Sequence, residues 1–323
     1  MSILSRGVRS CISFCYKSIK KYFKRLPTLL MVPNLDIEVT SVCNSSCVFC
    51  AHSIMKRPQQ HLDMSLFKKA VDEFVAIKGT NINFCCTMGE PLLDPYLLER
   101  AGYVKQFPQL KELGFVTNMQ WLHKFNMDEF FDFGITWLII SAAFSGRQKY
   151  FEFFGVDCYE QTFKNIVELI EENKKRKNKI RISFSIKPTN EPIDALMGHP
   201  DFKLVNILMD GALVGLLKYG LGSVDDWFGN VKLPAYLKKS PFYPKLFYPC
   251  KILYGNIIVF SNGKAGACPC RDFEANSELI VGNIRNDSLE ELWNGEKIKR
   301  IRDNWRKRNI IPDICKHCRS YIF

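Results

Sequence analysis

Three cysteines fall within eight residues, Cys43-Asn44-Ser45-Ser46-Cys47-Val48-Phe49-Cys50, spaced C-x3-C-x2-C. The residues before them, Leu35 to Thr40, alternate apolar and polar, as a half-buried strand does. The cysteines therefore occupy a loop at the C-terminal end of a strand. Thiols this close are metal ligands or disulfide partners, and a bridge inside so short a loop would be strained. A zinc site would require a fourth protein ligand. An iron–sulfur cluster accepts three cysteines and leaves one iron open to another molecule.

The chain has thirteen cysteines, and its N-terminus lacks the apolar run and small-residue cleavage site of a signal peptide. That combination implies a reducing cytoplasm and metal binding rather than disulfides. No apolar run reaches the roughly eighteen residues of a membrane span. The formal charge is +12, and residues 1–26 hold Arg6, Arg9, Lys17, Lys20, Lys21, Lys24 and Arg25 with no acidic residue. An apolar stripe (Leu4, Val8, Cys11 or Ile12, Cys15, Ile19, Tyr22 or Phe23, Leu26) makes this arm read as an amphipathic basic helix. It would suit peripheral contact with an anionic membrane, or it would pack on the main domain with its lysines solvated. The remainder is only mildly basic, so nucleic acid is not an expected partner.

From Leu35 a strand–helix alternation runs through strands at 35–40, 81–86, 112–117, 135–141, 180–186 and 203–208, with helices at 64–77, 94–107 and 159–177. This implies a parallel sheet with right-handed crossovers, and the chemistry of such folds lies at the C-terminal strand ends. Residues 209–247 read as an irregular passage to a second domain. There is no H-E-x-x-H, no G-x4-G-K-[ST] and no G-x-G-x-x-G, which leaves a mononuclear zinc enzyme or those phosphate loops without support. Cys85, Cys86 and Cys158 read as small buried hydrophobes.

The Cys43–Cys50 loop, with the aromatic Phe49 before its last cysteine, resembles the signature of the radical S-adenosylmethionine (SAM) enzymes. The resemblance implies that Cys43, Cys47 and Cys50 hold a 4Fe–4S cluster whose fourth iron binds SAM. It also implies that one electron then releases a 5′-deoxyadenosyl radical. After the second strand, Thr87-Met88-Gly89-Glu90-Pro91 is similar to the family's Gly-Gly-Glu-Pro segment, with Met88 in the first glycine's place. Thr117-Asn118-Met119 resembles its Thr-Asn-Gly, again without the glycine. By this likeness Phe49, Gly89, Glu90, Pro91, Asn118 and Ser141 would line the cofactor, and Lys187 at the end of strand five would be a catalytic candidate. The implied fold is a partial (β/α)6 radical SAM barrel over 35–230.

A second cysteine set, Cys250, Cys268, Cys315 and Cys318, closes the chain. Ile252 to Gly263 reads as the first arm of a hairpin turning at Ser261-Asn262-Gly263, and Ser288 as the N-cap of a helix. Four cysteines so arranged suit a zinc ribbon or an iron–sulfur cluster. Cys270 is an alternative to Cys268, with Asp272 near the substrate or simply packed. The layout resembles the twitch and SPASM extensions of radical SAM enzymes. That implies a small hairpin-plus-helix auxiliary-cluster domain over 231–323, with one 4Fe–4S cluster as electron acceptor. The expected activity is oxidation of a sugar-like or cyclitol small molecule, with flavodoxin or ferredoxin as external electron donor. About thirty-four residues before the first strand are too few for a leader-binding domain, which places peptide substrates second. A lipid-linked substrate, a peptide maturase and a non-catalytic zinc or iron–sulfur scaffold are the alternatives.

Overall fold

A computed structural model of the chain describes residues 34–84, 87–187, 191–218, 224–240, 250–269, 272–308 and 310–320. The basic arm, Cys85, Cys86 and Cys270 lie outside them. The elements follow in order: β1 (Asn34–Ile37), α1 (Met64–Ala76), β2 (Asn81–Phe84), α2 (Leu97–Lys105), β3 (Glu112–Thr117), α3 (Met127–Asp132), β4 (Trp137–Ala142), α4 (Gly146–Phe154), α5 (Tyr159–Lys175) and β5 (Arg181–Ile186). Three helices come next, α6 (Ile193–Gly198), α7 (Pro200–Leu208) and α8 (Ala212–Lys218). The C-terminal part holds β6 (Asn256–Val259), β7 (Lys264–Gly266), β8 (Ile280–Asn283), α9 (Leu289–Asn294), α10 (Glu296–Arg308) and α11 (Asp313–Lys316).

The strands form one open eight-stranded sheet in the order β5-β4-β3-β2-β1-β6-β7-β8. β1 to β5 are parallel, as the strand–helix alternation requires. Each crossover helix buries an apolar stripe on the sheet. In α1 this stripe is Leu66, Phe67, Ala70, Val71 and Phe74, at helical spacing. Phe67 meets Phe84 of β2 edge-on with ring centroids 5.8 Å apart. Burying one such ring contributes about 1.5–3 kcal/mol.

Two expectations are corrected. Residues 203–208 lie in helix α7, not in a sixth strand. Pro200 opens that helix, the His199 ring accepts from the Asp201 amide, and Phe202 and Val205 are buried one turn apart. A short apolar run suits strand and helix alike, and the flanking Pro decides. The sixth parallel strand is instead β6, which pairs with the other side of β1 (Leu35↔Ile257, Asp36↔Ile258). Residues 209–247 are also not irregular throughout, since α8 lies within them.

The hairpin forms where expected. β6 and β7 are antiparallel, and Gly263 takes a left-handed φ of 86° in the turn between them. Ser288 caps α9 in a reciprocal capping box with Glu291. Leu289 N donates to Glu73 Oε2 (2.6 Å) and Lys69 Nζ to Asp287 O (2.9 Å), so α9 is tied to α1. No helix among the described residues is long and apolar enough to cross a membrane.

Asp36 joins three strands at the centre of the sheet. Its carboxylate is buried and accepts from Asn83 Nδ2 of β2 and Asn256 Nδ2 of β6, both at 2.9 Å. Asp36→Ala would leave two half-buried amide donors without this acceptor and should lower stability by about 1–2 kcal/mol, against less for Asp36→Asn, as read by urea denaturation.

Candidate cofactor site at the C-terminal strand ends

The Cys43–Cys50 loop leaves the C-terminal end of β1 and is fastened on several sides. Ser46 N donates to Phe154 O (2.9 Å) and Val48 N to Phe153 O (3.0 Å), which lashes the loop to α4. Asn44 Nδ2 donates to Gln120 Oε1 (2.7 Å), beyond the end of β3. Phe49 packs on Phe153 with centroids 5.1 Å apart, and its carbonyl accepts from Trp227 Nε1 (2.9 Å).

Burial pushes the Cys43 thiol up to about 12, with Glu90 and Cys50 adding to the effect. Cys47 is also raised, by burial and then by Cys50 and Cys43, while Lys187 acts against this. The three thiols, Glu90 and Lys187 therefore share one electrostatic neighbourhood. Thiolates there require added positive charge, which iron supplies.

The turn after β2 faces this loop. Gly89 has φ 92°, and a Cβ on it would stand 2.3 Å from Thr40 O, so only glycine fits. Glu90 N donates to Val42 O (2.8 Å). The Glu90 carboxylate accepts from Thr117 Oγ1 (2.6 Å), Asn118 N (2.7 Å) and Leu92 N (3.1 Å), and so caps the 3-10 turn Pro91–Leu93. Desolvation pushes it up to about 7, because these partners are all neutral. Asn118 Nδ2 donates back to Asn44 Oδ1 (3.0 Å) and Ser45 Oγ (3.2 Å).

The two residues in place of the family's glycines have separate fates. Met88 is buried with Ala51, Trp227 and Val231. Met119 is buried with φ 65°, a left-handed conformation that costs a side chain about 1–2 kcal/mol. Ser141 lies opposite Ser185 in the β4–β5 register. Lys187 Nζ donates to Ser185 Oγ (2.9 Å) and stands 5.1 Å from the centre of the Phe49 ring.

In the second set, Cys250 and Cys268 flank the open end of the β6–β7 hairpin. Cys315 lies in α11, and Cys318 N donates to Cys315 O (3.2 Å). Glu278, just before β8, accepts from the amides of Asp313 and Ile314 and so holds α11. Asp272 is packed, accepting from Asn276 N, Ser277 N and Ser277 Oγ. Cys158 is half-buried at the start of α5, against the α4 aromatic cluster. Among the described residues, no three His, Cys, Asp or Glu gather around a point that one ion would occupy. Residues with no sequence signal also bind these loops together: Glu38, Arg57 and Thr87, whose Oγ1 donates to Pro269 O (2.8 Å).

Residues 37–197 match the radical SAM superfamily, and residues 250–319 match SPASM, an iron–sulfur cluster-binding domain. The chain belongs to the radical SAM superfamily. Its C-terminal part is a SPASM domain, and the two domains together imply SAM, a SAM-binding 4Fe–4S cluster and an auxiliary cluster. One curated relative of this radical SAM protein is the GTP 3′,8-cyclase of Chlorobaculum tepidum, 28% identical over 139 residues; the match spans 43% of this chain and 41% of that protein. Another is the S-adenosyl-L-methionine-dependent 2-deoxy-scyllo-inosamine dehydrogenase of Niallia circulans, 21% identical over 88% of this chain and 92% of that protein. Among solved structures, BtrN in complex with AdoMet and 2-DOIA shares the fold with TM-score 0.59 and 17% identity, covering 89% of this chain and 93% of its own. Streptococcus suis SuiB bound to precursor peptide SuiA shares it with TM-score 0.54 and 14% identity, over 98% and 77%.

Glu90 gives this site a pH dependence. The unfolded chain releases the Glu90 proton near pH 4.5, the folded chain near about 7. Between those values the folded state keeps a proton that the unfolded state has lost, so stability falls as pH rises and levels off above 7. In Glu90→Gln this slope should disappear, at the cost of one hydrogen bond, when cluster-free protein is denatured across that window.

Proposed function

We propose that the chain is a radical SAM dehydrogenase of a polyhydroxylated small molecule. Residues 35–230 form its core and 231–323 its auxiliary domain. In this reading Cys43, Cys47 and Cys50 hold the SAM-binding cluster, and Cys250, Cys268, Cys315 and Cys318 hold the auxiliary one. The observation that carries it is the electrostatic neighbourhood that the half-buried thiols of Cys43, Cys47 and Cys50 share with the buried Glu90 carboxylate at the C-terminal strand ends. Among the described residues Glu90 has no cationic partner, and the SAM ammonium would supply one. In this reading the loop of Phe49, the turn Gly89–Pro91, Asn118 and Ser141 would line the cofactor around that position.

When bound, SAM and its cluster supply hydrogen-atom abstraction, and the auxiliary cluster accepts the second electron. The protein's own groups bind and orient. By strand register Ser141, Ser183, Ser185 and Lys187 share one face of β4 and β5. Hydroxyls and an ammonium in a row suit a substrate rich in hydroxyl or amino groups. Lys187, whose Nζ stands 5.1 Å from the centre of the Phe49 ring in the cysteine loop, would hold the oxygen on the reacting carbon. The Niallia relative named above acts on a substrate of this chemical kind, which supports the choice. Flavodoxin or ferredoxin would deliver the first electron, and residues 1–26, rich in lysine and arginine without acids, would rest on an anionic membrane surface of the cytoplasm.

Anaerobic reconstitution tests this directly. The wild type should hold about eight irons per chain and the Cys43/Cys47/Cys50→Ala variant about four. With dithionite and SAM the wild type should release 5′-deoxyadenosine and the variant none. Cyclitols and amino sugars should be screened for a product lacking two hydrogens. Zinc in place of iron would sink the proposal, and modification of a peptide but of no polyol would replace the substrate class.

A further inference from the structure

One guanidinium joins the two cysteine segments. Arg57 follows the Cys43–Cys50 loop with a side chain only 7% exposed, and Glu38, just past β1, is fully buried. Arg57 Nη1 and Nη2 donate to the two Glu38 carboxylate oxygens at 2.8 and 2.7 Å. Nη1 also reaches Ser261 Oγ (3.2 Å) in the β6–β7 turn, and Nε donates to Phe273 O (2.6 Å). The amides of Lys56 and Arg57 donate to the two oxygens of Glu274, at 2.8 and 3.0 Å. Ser261 Oγ donates to Glu38 Oε1 (2.8 Å), which closes the network.

Two further bridges reach the same C-terminal segment, one from the turn after β2 and one through Trp227. Thr87, two residues before Gly89, donates to the carbonyl of Pro269, the neighbour of Cys268. Trp227 donates to Phe49 O and meets the Phe273 ring edge-on at 5.9 Å. All three bridges end on residues 261–274, the segment that carries Cys268. A buried ion pair is weak evidence of stabilisation, since desolvation offsets its attraction. A bidentate guanidinium–carboxylate pair does fix orientation, because both groups are planar and both bonds must align.

We propose that Arg57 is a positioning residue, which holds the auxiliary cysteine segment at one distance and orientation from the Cys43–Cys50 loop. This rests on the assignment of both cysteine sets to clusters. The test uses the full chain, reconstituted anaerobically: wild type, Arg57→Met, Arg57→Lys, Thr87→Val and, as control, Asn173→Ala. Asn173 is buried and exchanges two hydrogen bonds with Ile180, on the opposite side of the sheet's strand ends from the cysteines. Its loss destabilises the chain without touching either segment. Iron per chain, thermal midpoint and the spin–spin interaction between the two dithionite-reduced clusters are measured.

The interaction should be sharp in wild type and in Asn173→Ala. In Arg57→Met it should broaden or the chain should lose its second four irons, with Arg57→Lys recovering part of the signal. Thr87→Val, the milder break, should broaden it less and serves if Arg57→Met does not fold. Variants that keep about eight irons and an unchanged interaction would overturn the positioning role while leaving the cluster assignment standing. A wild type without two clusters would remove both.

Discussion

Strand β1 is held on both sides by parallel pairing, with β2 on one flank and β6 on the other. Everything at the candidate site depends on that double pairing. The cysteine loop begins where β1 ends, the Gly89 turn presses on Thr40 beyond it, and Glu38 anchors Arg57. A strand buried on both faces and paired on both edges cannot shift register without turning its side chains to the wrong side. The loop it carries therefore starts from a fixed point, and the contacts to α4 and to the end of β3 fix the remainder.

The site is assembled with a shortage of positive charge. Burial raises Cys43, Cys47 and Glu90 together, and Lys187 is the cation that eases Cys47. Among the described residues, two buried arginines are committed elsewhere. Arg57 is spent on Glu38, and Arg100 on Asp94 in another buried pair. Such an arrangement is costly by itself and becomes favourable when cationic groups arrive, which is how binding energy becomes part of folding energy.

Much of this was legible locally. The strand–helix rhythm, the hairpin turn at Ser261-Asn262-Gly263 and the Ser288 cap each depend on residues within a few positions, and all appear. The family motifs placed the loop and the Gly89 turn. The segment 203–208 misled because an apolar run of that length has no period of its own, and Pro200 outweighed it. The neighbour of β1 was hidden, because strand pairing over such a distance leaves no local pattern. Arg57 and Thr87 were hidden for the same reason: one basic or hydroxyl residue in a loop says nothing about a partner 216 or 182 residues further along the chain. Met119 shows a further limit, since a left-handed backbone is expected of glycine and here a buried methionine is held in it.

The pairing of β1 with β6 has a cost in time. Asn256 bonds Asp36 across a separation of 220 residues. On the ribosome, β1 emerges long before β6 exists, and one row of its amides and carbonyls stays open throughout that interval. Contacts of such range form late, after loop closure has been met by the rest of the chain. The nascent protein thus passes through a stage in which Cys43, Cys47 and Cys50 are already displayed beside an unfinished sheet edge. A chaperone or an iron–sulfur donor acting at that stage would meet the same strand, one by its bare edge and the other by its cysteine tip.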